Sequence, residues 1–129
     1  MALAVLVPVG AIGIGWYQRH AAELRDLTVI GNGSPTVVQV YDYGSRTSRQ
    51  LRDRLTAVER EFAPRVQFRL ADQATADGAL LASRYGAAPE TLLLFGPDGS
   101  LRDRVAGTQD AQAIRAAIAA SFPAARPPG

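Results

Sequence analysis

Residues 36–62 have the sequence TVVQVYDYGSRTSRQLRDRLTAVEREF, which joins a strand to a helix. Residues 36–41 are mostly β-branched or apolar, and such a run is typical of a strand buried on both faces. From residue 48 to residue 62, large apolar residues recur at the helical period and would share one face. These residues are Leu51, Leu55, Val58 and Phe62. Thr47 and Gln50 fit a capping box at the start of this helix.

Two further segments keep the alternation of strands and helices. In residues 66–70 apolar and polar side chains alternate, which predicts a half-buried strand. Residues 77–85 predict a shorter helix closed by Gly86, because glycine readily adopts the left-handed conformation that follows a helix. The first two strands must then be parallel, since a helix crosses between them.

The C-terminal part of the chain predicts a hairpin and a last helix. Residues 91–95, TLLLF, resemble a second buried strand. The sequence Pro-Asp-Gly at 97–99 favours a tight turn, and the polar residues 101–105 fit an exposed edge strand that pairs back. Asp110 is placed to cap a final helix. The order β-α-β-α-β-β-α predicts an α/β fold with a mixed central sheet flanked by helices.

Composition limits the chemistry that this chain can perform. Its 129 residues suffice for one compact domain. The net charge is only +2 and no basic run occurs, so no nucleic-acid partner is expected. Cysteine is absent and His20 is the only histidine, which excludes disulfides, thiolate nucleophiles and cysteine metal sites. We therefore predict no metal site and no cofactor.

The N-terminal residues 2–17 carry no charged side chain. At about 1.5 Å per residue, a helix of this run would cover most of a bilayer core about 30 Å thick. Trp16 and Tyr17 would lie at the interface, and Arg19 would lie among the head groups. The run predicts a single transmembrane anchor, with a cleaved secretory signal and a buried core helix as alternatives.

The chain is therefore expected to have four parts. An anchor occupies residues 1–22, and a linker with turn-forming residues occupies residues 23–35. The α/β domain spans residues 36–122. The proline-rich residues 123–129 predict a disordered tail.

Three stretches of the domain resemble the thioredoxin family. Residues 38–44, VQVYDYG, look like the family's strand that leads to the active site. Tyr85 and Gly86, followed closely by TLLLF at 91–95, look like its YG…PTLLLF segment, and residues 97–107 resemble its terminal hairpin and glycine. Each stretch is unspecific alone, but their order and spacing resemble the family over most of the domain. The resemblance implies a thioredoxin-like fold behind an N-terminal transmembrane helix.

The segment that would carry the family's chemistry differs in this chain. The family has a CxxC motif there, and a helix N-terminus stabilises its thiolate. Here the segment is Ser45-Arg46-Thr47-Ser48. A serine hydroxyl stays protonated at neutral pH and forms no disulfide, so no thiol–disulfide exchange and no enzyme activity are expected.

Two further positions depart from the family. Gln39 stands where the family often has an acid, and Glu90 stands where it has a cis-proline, with Pro89 one residue earlier. A cis bond before a non-proline residue costs about 2.5–4 kcal/mol, so the bond before Glu90 is expected to be trans. Natural loss of redox chemistry explains all of these departures. Engineered replacement of two cysteines would explain only the two serines.

The turn at residues 45–48 allows other interpretations. Ser45 would act as a nucleophile only with a base, and no histidine lies in the domain. The turn would either bind an anion at the helix N-terminus or simply cap the helix. The resemblance implies that Glu90 lies near the turn, within salt-bridge reach of Arg46, and an acid/base pair of Glu90 with Asp42 is an alternative. The candidate surface for a partner consists of Tyr43, Arg46, Pro89 and Glu90.

These expectations favour an interaction protein over an enzyme. The first hypothesis is a non-redox accessory or assembly subunit, tethered to the membrane among other membrane protein subunits. The alternatives are a membrane-anchored thiol–disulfide oxidoreductase whose cysteines were replaced by serine, and a peptide-binding, chaperone-like domain. Anchored relatives in the family imply a single-pass membrane protein with a periplasmic domain. Arg19 and Arg25, which follow the anchor, favour the cytoplasm instead.

Overall fold

The computed structural model describes the backbone of residues 9–106 and 109–125, and the side chains of residues 15–106 and 109–125. The α-helices in these residues are α1 (Val9–Leu24), α2 (Arg46–Phe62), α3 (Ala76–Arg84) and α4 (Ala111–Ser121). The strands are β1 (Thr36–Tyr41), β2 (Gln67–Asp72), β3 (Leu92–Phe95) and β4 (Leu101–Val105). The order of strands and helices predicted after residue 36 is confirmed.

The four strands form one mixed sheet in the order β2-β1-β3-β4. β1 runs parallel to β2, with Val38 beside Arg69, and antiparallel to β3, with Val38 beside Leu93. β3 and β4 form the predicted antiparallel hairpin. Its turn places Gly99 at a φ of 84°, a conformation that glycine adopts without steric cost. The predicted mixed sheet with a parallel first pair is confirmed.

Helices cover both faces of the sheet, so every residue of β1 is buried. α2 and α4 pack over a larger apolar core that includes Val37, Leu55, Leu94 and Ile118. α3 packs over a smaller core on the other face, which includes Val38, Ala82, Leu93 and Phe95. Arg115 of α4 donates two hydrogen bonds to the carboxylate of Glu61 in α2, at 2.6 and 2.7 Å. This pairing lowers the pKa of the Glu61 carboxyl from its ordinary value.

The start of α2 differs from the prediction. Its cap is Ser45, whose Oγ accepts a hydrogen bond from the amide of Ser48 at 3.2 Å, and the helix begins at Arg46. Thr47 was expected to be the cap, but its hydroxyl bonds to Glu90 instead. The predicted capping box is therefore wrong, because an earlier hydroxyl reaches the free amide of the first turn.

The segment before β1, predicted as a linker, packs against the sheet. Residues Leu27–Val29 form a 3-10 turn, and Leu27 and Ile30 contact the smaller core. Arg25 donates from Nε to Oδ2 of Asp72 at the end of β2, with 2.8 Å between the two atoms. The part of the predicted linker that follows α1 is thus attached to the domain by apolar contacts and by an ion pair.

The C-terminal residues after α4 also differ from the expected disordered tail. Residues Pro123–Ala125 form a 3-10 turn, and Ala125 is buried in the larger core. Arg65 donates from Nε to the carbonyl oxygen of Ala125 at 3.2 Å. Residues 123–125 therefore belong to the folded domain, and residues 126–129 of the predicted tail lie outside the described residues.

The predicted anchor at residues 1–22 is only partly covered by the described residues. α1 begins at Val9, inside the uncharged run, and carries the exposed aromatic residues Trp16 and Tyr17. Within residues 9–106 and 109–125, no helix combines the length and the apolar character needed to cross a bilayer. Residues 1–8 of the expected anchor lie outside the described part of the chain.

Candidate functional site

The turn at residues 45–48 and Glu90 lie at the same end of the sheet. β1 leads into this turn and α2, and the residues before β3 lie beside the end of β1 because the two strands are antiparallel. The amide of Glu90 donates to the carbonyl oxygen of Val40 at 3.1 Å, and the amide of Val40 donates to the carbonyl oxygen of Thr91 at 2.9 Å. This ladder holds Glu90 beside the start of α2, as the sequence predicted.

The side chains of Ser45, Thr47 and Glu90 form one hydrogen-bonded cluster. The hydroxyl groups of Thr47 and Ser45 both donate to Oε1 of Glu90, the latter at 3.3 Å. The two hydroxyl oxygens lie 3.0 Å apart. The Glu90 carboxylate therefore faces the first turn of α2, where the partial positive charge of a helix N-terminus favours an anion. It lies beside the hydroxyl of Ser45 and adds a carboxylate to the start of the helix.

A second network holds the first turn of α2 on β1. Ser48 and Gln39 are both fully buried. Oγ of Ser48 accepts from the amide of Asp42 at 3.0 Å, and Nε2 of Gln39 donates to the carbonyl oxygen of Ser48 at 2.8 Å. Oε1 of Gln39 has no hydrogen-bond partner among the described residues. The sequence pattern did not reveal this link, and its only local signal was an amide side chain within a buried apolar strand.

The backbone of Glu90 adopts a left-handed conformation with a φ of 76°. A side chain with a Cβ rarely takes this conformation, which costs about 1–2 kcal/mol. The bond before Glu90 is trans, as expected, and the cis bond found in the described residues joins Ala63 to Pro64. Such a conformation persists where surrounding bonds hold it, and here the hydroxyls of Ser45 and Thr47 and the carbonyl of Val40 do so.

The expected ion pair between Glu90 and Arg46 is wrong. Arg46 is exposed, and the ion pairs formed by the described residues do not include one between Arg46 and Glu90. The carboxylate is instead satisfied by the nearer hydroxyls of the turn. Asp42 accepts from the amide of Gly44 at 2.9 Å, within its own turn. The two carboxylates therefore have separate partners, which gives no support to an acid/base pair.

Ser45 has no imidazole base within the domain. The ring of His20 stacks on the ring of Trp16 in α1, with 5.5 Å between the ring centroids. The hydroxyl of Ser45 is instead engaged with Thr47, with Glu90 and with the amide that it caps. This arrangement favours helix capping over a nucleophilic role.

The candidate surface for a partner remains accessible beside this cluster. Tyr43 is 73% exposed, Arg46 is exposed, and Pro89 and Glu90 are partly exposed. The guanidinium of Arg49 lies 5.6 Å from the centre of the Tyr43 ring, and it donates to the Tyr43 carbonyl oxygen at 2.6 Å. The aromatic ring is thus presented on the surface with its position limited by Arg49.

Solved structures similar to this chain share one architecture. A point mutant of thioredoxin from Halobacterium salinarum NRC-1 aligns with a TM-score of 0.61 at 22% identity, over 72% of this chain and 79% of that protein. An uncharacterized thioredoxin-like protein from Clostridium perfringens aligns with a TM-score of 0.66 at 16% identity, over 74% of this chain and 77% of that one. This chain has a thioredoxin-like fold.

A third thioredoxin-like structure supports the same conclusion. Trxlp from Edwardsiella tarda EIB202 aligns with a TM-score of 0.60 at 20% identity, over 70% of this chain and 86% of that protein. No family model matches the chain, and no curated protein matches it. The likeness therefore concerns the thioredoxin-like fold, and function has to be argued from the site itself.

Proposed function

We propose that this protein is a redox-inactive thioredoxin-like subunit that is tethered to a membrane and docks on other membrane proteins. The observation that carries the proposal is the carboxylate of Glu90 at the start of α2, bonded to the hydroxyls of Ser45 and Thr47. Thiol–disulfide exchange needs a thiolate at this place. The hydroxyls and the helix end are already engaged by a group of the chain itself. This occupied site supports binding through the surrounding surface rather than catalysis.

The proposed docking surface consists of Tyr43, Arg46, Pro89 and Glu90. Exposed aromatic residues and arginine are enriched where proteins bind one another. Arg49 limits the freedom of Tyr43 before any partner is bound. Less conformational entropy would then be lost on association, which favours affinity.

The membrane tether is supported by the uncharged residues 2–17. Trp16 and Tyr17 at the end of this run are 69% and 68% exposed on α1. Aromatic residues of this kind favour the interface between water and lipid. We propose an uncleaved single-pass anchor with the domain on the periplasmic side, where the helix and the domain each dock on other subunits.

The proposal is tested by gentle purification from membranes. The chain is solubilised in mild detergent and separated on a native gel, and the protein chains in each band are identified by mass spectrometry. We expect a species that contains other membrane proteins and is lost in the Tyr43→Ala variant. The matched control Asp53→Ala, an exposed position further along α2, should retain it. A chain that migrates alone, or only with copies of itself, would refute the proposed function.

A further inference from the structure

The solvent-facing side of α3 has an ordered arrangement of one acid, one apolar residue and one base. Asp77, Leu80 and Arg84 are spaced three and four residues apart, which places them on one face of the helix. All three are exposed, and Leu80 is exposed to 71%. Within residues 9–106 and 109–125, the side chains of Asp77 and Arg84 take part in no ion pair.

An open groove runs beside this face, between α3 and the segment that precedes β1. Its volume is about 620 Å³, and Leu80 lies on its rim. Its lining is mixed: it includes the apolar residues Leu27, Ile30, Leu81, Tyr85 and Phe95, and also charged residues, among them Asp77 and Arg84. The exposed Leu80 and the apolar part of this lining together offer apolar surface to a partner, with charges on either side of it.

We propose that this face binds a second copy of the same chain, with the two α3 helices antiparallel. The charges at positions 77 and 84 are seven residues apart, which is about 10.5 Å along a helix. A twofold axis near Leu80 would bring Asp77 opposite Arg84 of the second copy, and Arg84 opposite Asp77 of that copy. Each Leu80 would then lie near that axis, beside Leu80 of the second copy and the apolar part of the groove lining that flanks it.

The order of charges along α3 favours a second copy of this chain over other partners for this face. An acid, a central apolar residue and a base in sequence are complementary to themselves when reversed, as an isologous interface requires. Asp77 lies in the first turn of α3 and Arg84 in the last. In an antiparallel pair each helix end also meets the end of opposite partial charge. The interface is small, so we expect a reversible dimer.

The chain contains no cysteine, which allows a direct cross-linking test. A disulfide requires a narrow range of distances and angles between the two Cβ atoms, so a short bis-maleimide, which tolerates more variation, is the suitable probe. Leu80→Cys in the full chain should be cross-linked to a dimer at a rate roughly tenfold or more above that of Ala57→Cys, because association raises the local concentration. Ala57 is an exposed residue of α2, on the opposite face of the sheet. Equal rates for the two variants would overturn the proposal.

Charge-reversal variants test whether Asp77 and Arg84 of the two copies face each other. In the Leu80→Cys background, Asp77→Arg or Arg84→Asp alone should reduce cross-linking to the rate of the Ala57→Cys control, because like charges then face each other. A mixture of the two variants should restore cross-linking, because arginines at positions 77 and 84 in one chain would face aspartates at both positions in the other. Helical circular dichroism should be unchanged in both variants, which separates lost association from lost folding. Undiminished cross-linking in the single variants, or no recovery in the mixture, would overturn the proposal.

Discussion

Thr47 donates its hydroxyl hydrogen to the carboxylate of Glu90, which lies 43 residues later in the chain. The bond joins the first turn of α2 to the loop that precedes β3. It explains why Thr47 does not cap its own helix and why Glu90 tolerates a left-handed backbone. The same bond places the carboxylate of Glu90 at the N-terminus of α2, beside the hydroxyl of Ser45.

A double-mutant cycle should measure this bond. Thr47→Val and Glu90→Gln should each destabilise the protein, and the two effects should not add, because both remove the same interaction. Hydrogen bonds to charged groups contribute about 1.5–3 kcal/mol, and we expect a coupling free energy of about 1.5 kcal/mol because Glu90 is partly exposed. Urea denaturation of the four proteins supplies the values.

Thr56→Val is the matched control for this cycle. The hydroxyl of Thr56 donates at 2.9 Å to the carbonyl oxygen of Arg52 within the same helix, away from the turn. Its combination with Glu90→Gln should therefore be additive within about 0.5 kcal/mol. A coupling between Thr47 and Glu90 no larger than that of the control would show that the bond contributes nothing in solution.

The backbone of Glu90 gives a second prediction. Glu90→Ala and Glu90→Gly both remove the carboxylate, but only glycine adopts a φ of 76° without a clash of Cβ. The glycine variant should be more stable than the alanine variant by about 1 kcal/mol, despite the greater freedom of glycine in the unfolded chain. Thermal melting compares the two. An alanine variant of equal or greater stability would mean that position 90 is not held in this conformation.

The sequence predicted most of the fold because the strands and helices have strong periodic patterns. The spacing of Leu51, Leu55 and Val58 indicates a helix, and the short apolar run of β3 indicates a strand because the turn-forming residues 97–99 follow it. Such patterns can be read from the sequence because the spacing of apolar residues along the chain reflects which side chains are buried. The nearness of Glu90 to the turn was expected from the resemblance to the thioredoxin family, and the antiparallel pairing of β3 with β1 explains it, because the residues before β3 lie at the end of β1.

The side-chain partners at the site were not predictable in the same way. Three hydroxyls occur within four residues of the turn, and the sequence does not say which of them caps the helix and which binds Glu90. The choice depends on a left-handed backbone at position 90, which non-glycine residues seldom adopt. The contacts of the predicted linker depend similarly on tertiary packing, since Arg25 pairs with Asp72 at the far end of β2.

Gln39→Glu should give the protein a pH-dependent stability. The side chain is fully buried, and its Nε2 donates to the carbonyl oxygen of Ser48. Only a protonated carboxyl can donate to that oxygen, so burial and this contact should raise its pKa in the folded state. The variant should lose about 1.4 kcal/mol per pH unit as the pH rises above the unfolded pKa of about 4.3, until the folded-state pKa is reached.

Thermal melting between about pH 4 and about pH 8 tests the effect of Gln39→Glu, because this interval begins near the unfolded pKa. The matched control is Gln50→Glu at an exposed position of α2, which should follow the wild-type profile. If the profiles of both variants run parallel to that of the wild type, the introduced carboxyl is not held in a buried environment.

The membrane tether predicts resistance to alkaline carbonate extraction. A charge near the middle of a transmembrane helix costs about 2.5–3.5 kcal/mol, so Val9→Asp, in the middle of the uncharged run, should shift the chain to the soluble fraction, whereas Val9→Leu should stay in the membrane. Intact mass should show an uncleaved N-terminus.

In spheroplasts, Ala57→Cys should react with an impermeant maleimide, as a periplasmic domain requires. Labelling that appears only after permeabilisation would place the domain on the cytoplasmic side, and extraction of the wild type would contradict the tether.

Restoring the thiols should show how Glu90 acts on the site. The double variant Ser45→Cys, Ser48→Cys should reduce insulin poorly, because the carboxylate of Glu90 would lie beside the thiol at position 45 and disfavour its thiolate. Adding Glu90→Gln should lower the pKa of that thiol by about one unit, measured from the pH dependence of its alkylation rate. Asp53→Asn, which removes a distant carboxylate on the exposed side of α2, should leave that pKa unchanged. If the thiol had the same pKa with glutamate and with glutamine at position 90, or if the double variant already matched an ordinary thioredoxin in activity, the carboxylate would not limit the activity of the restored thiols.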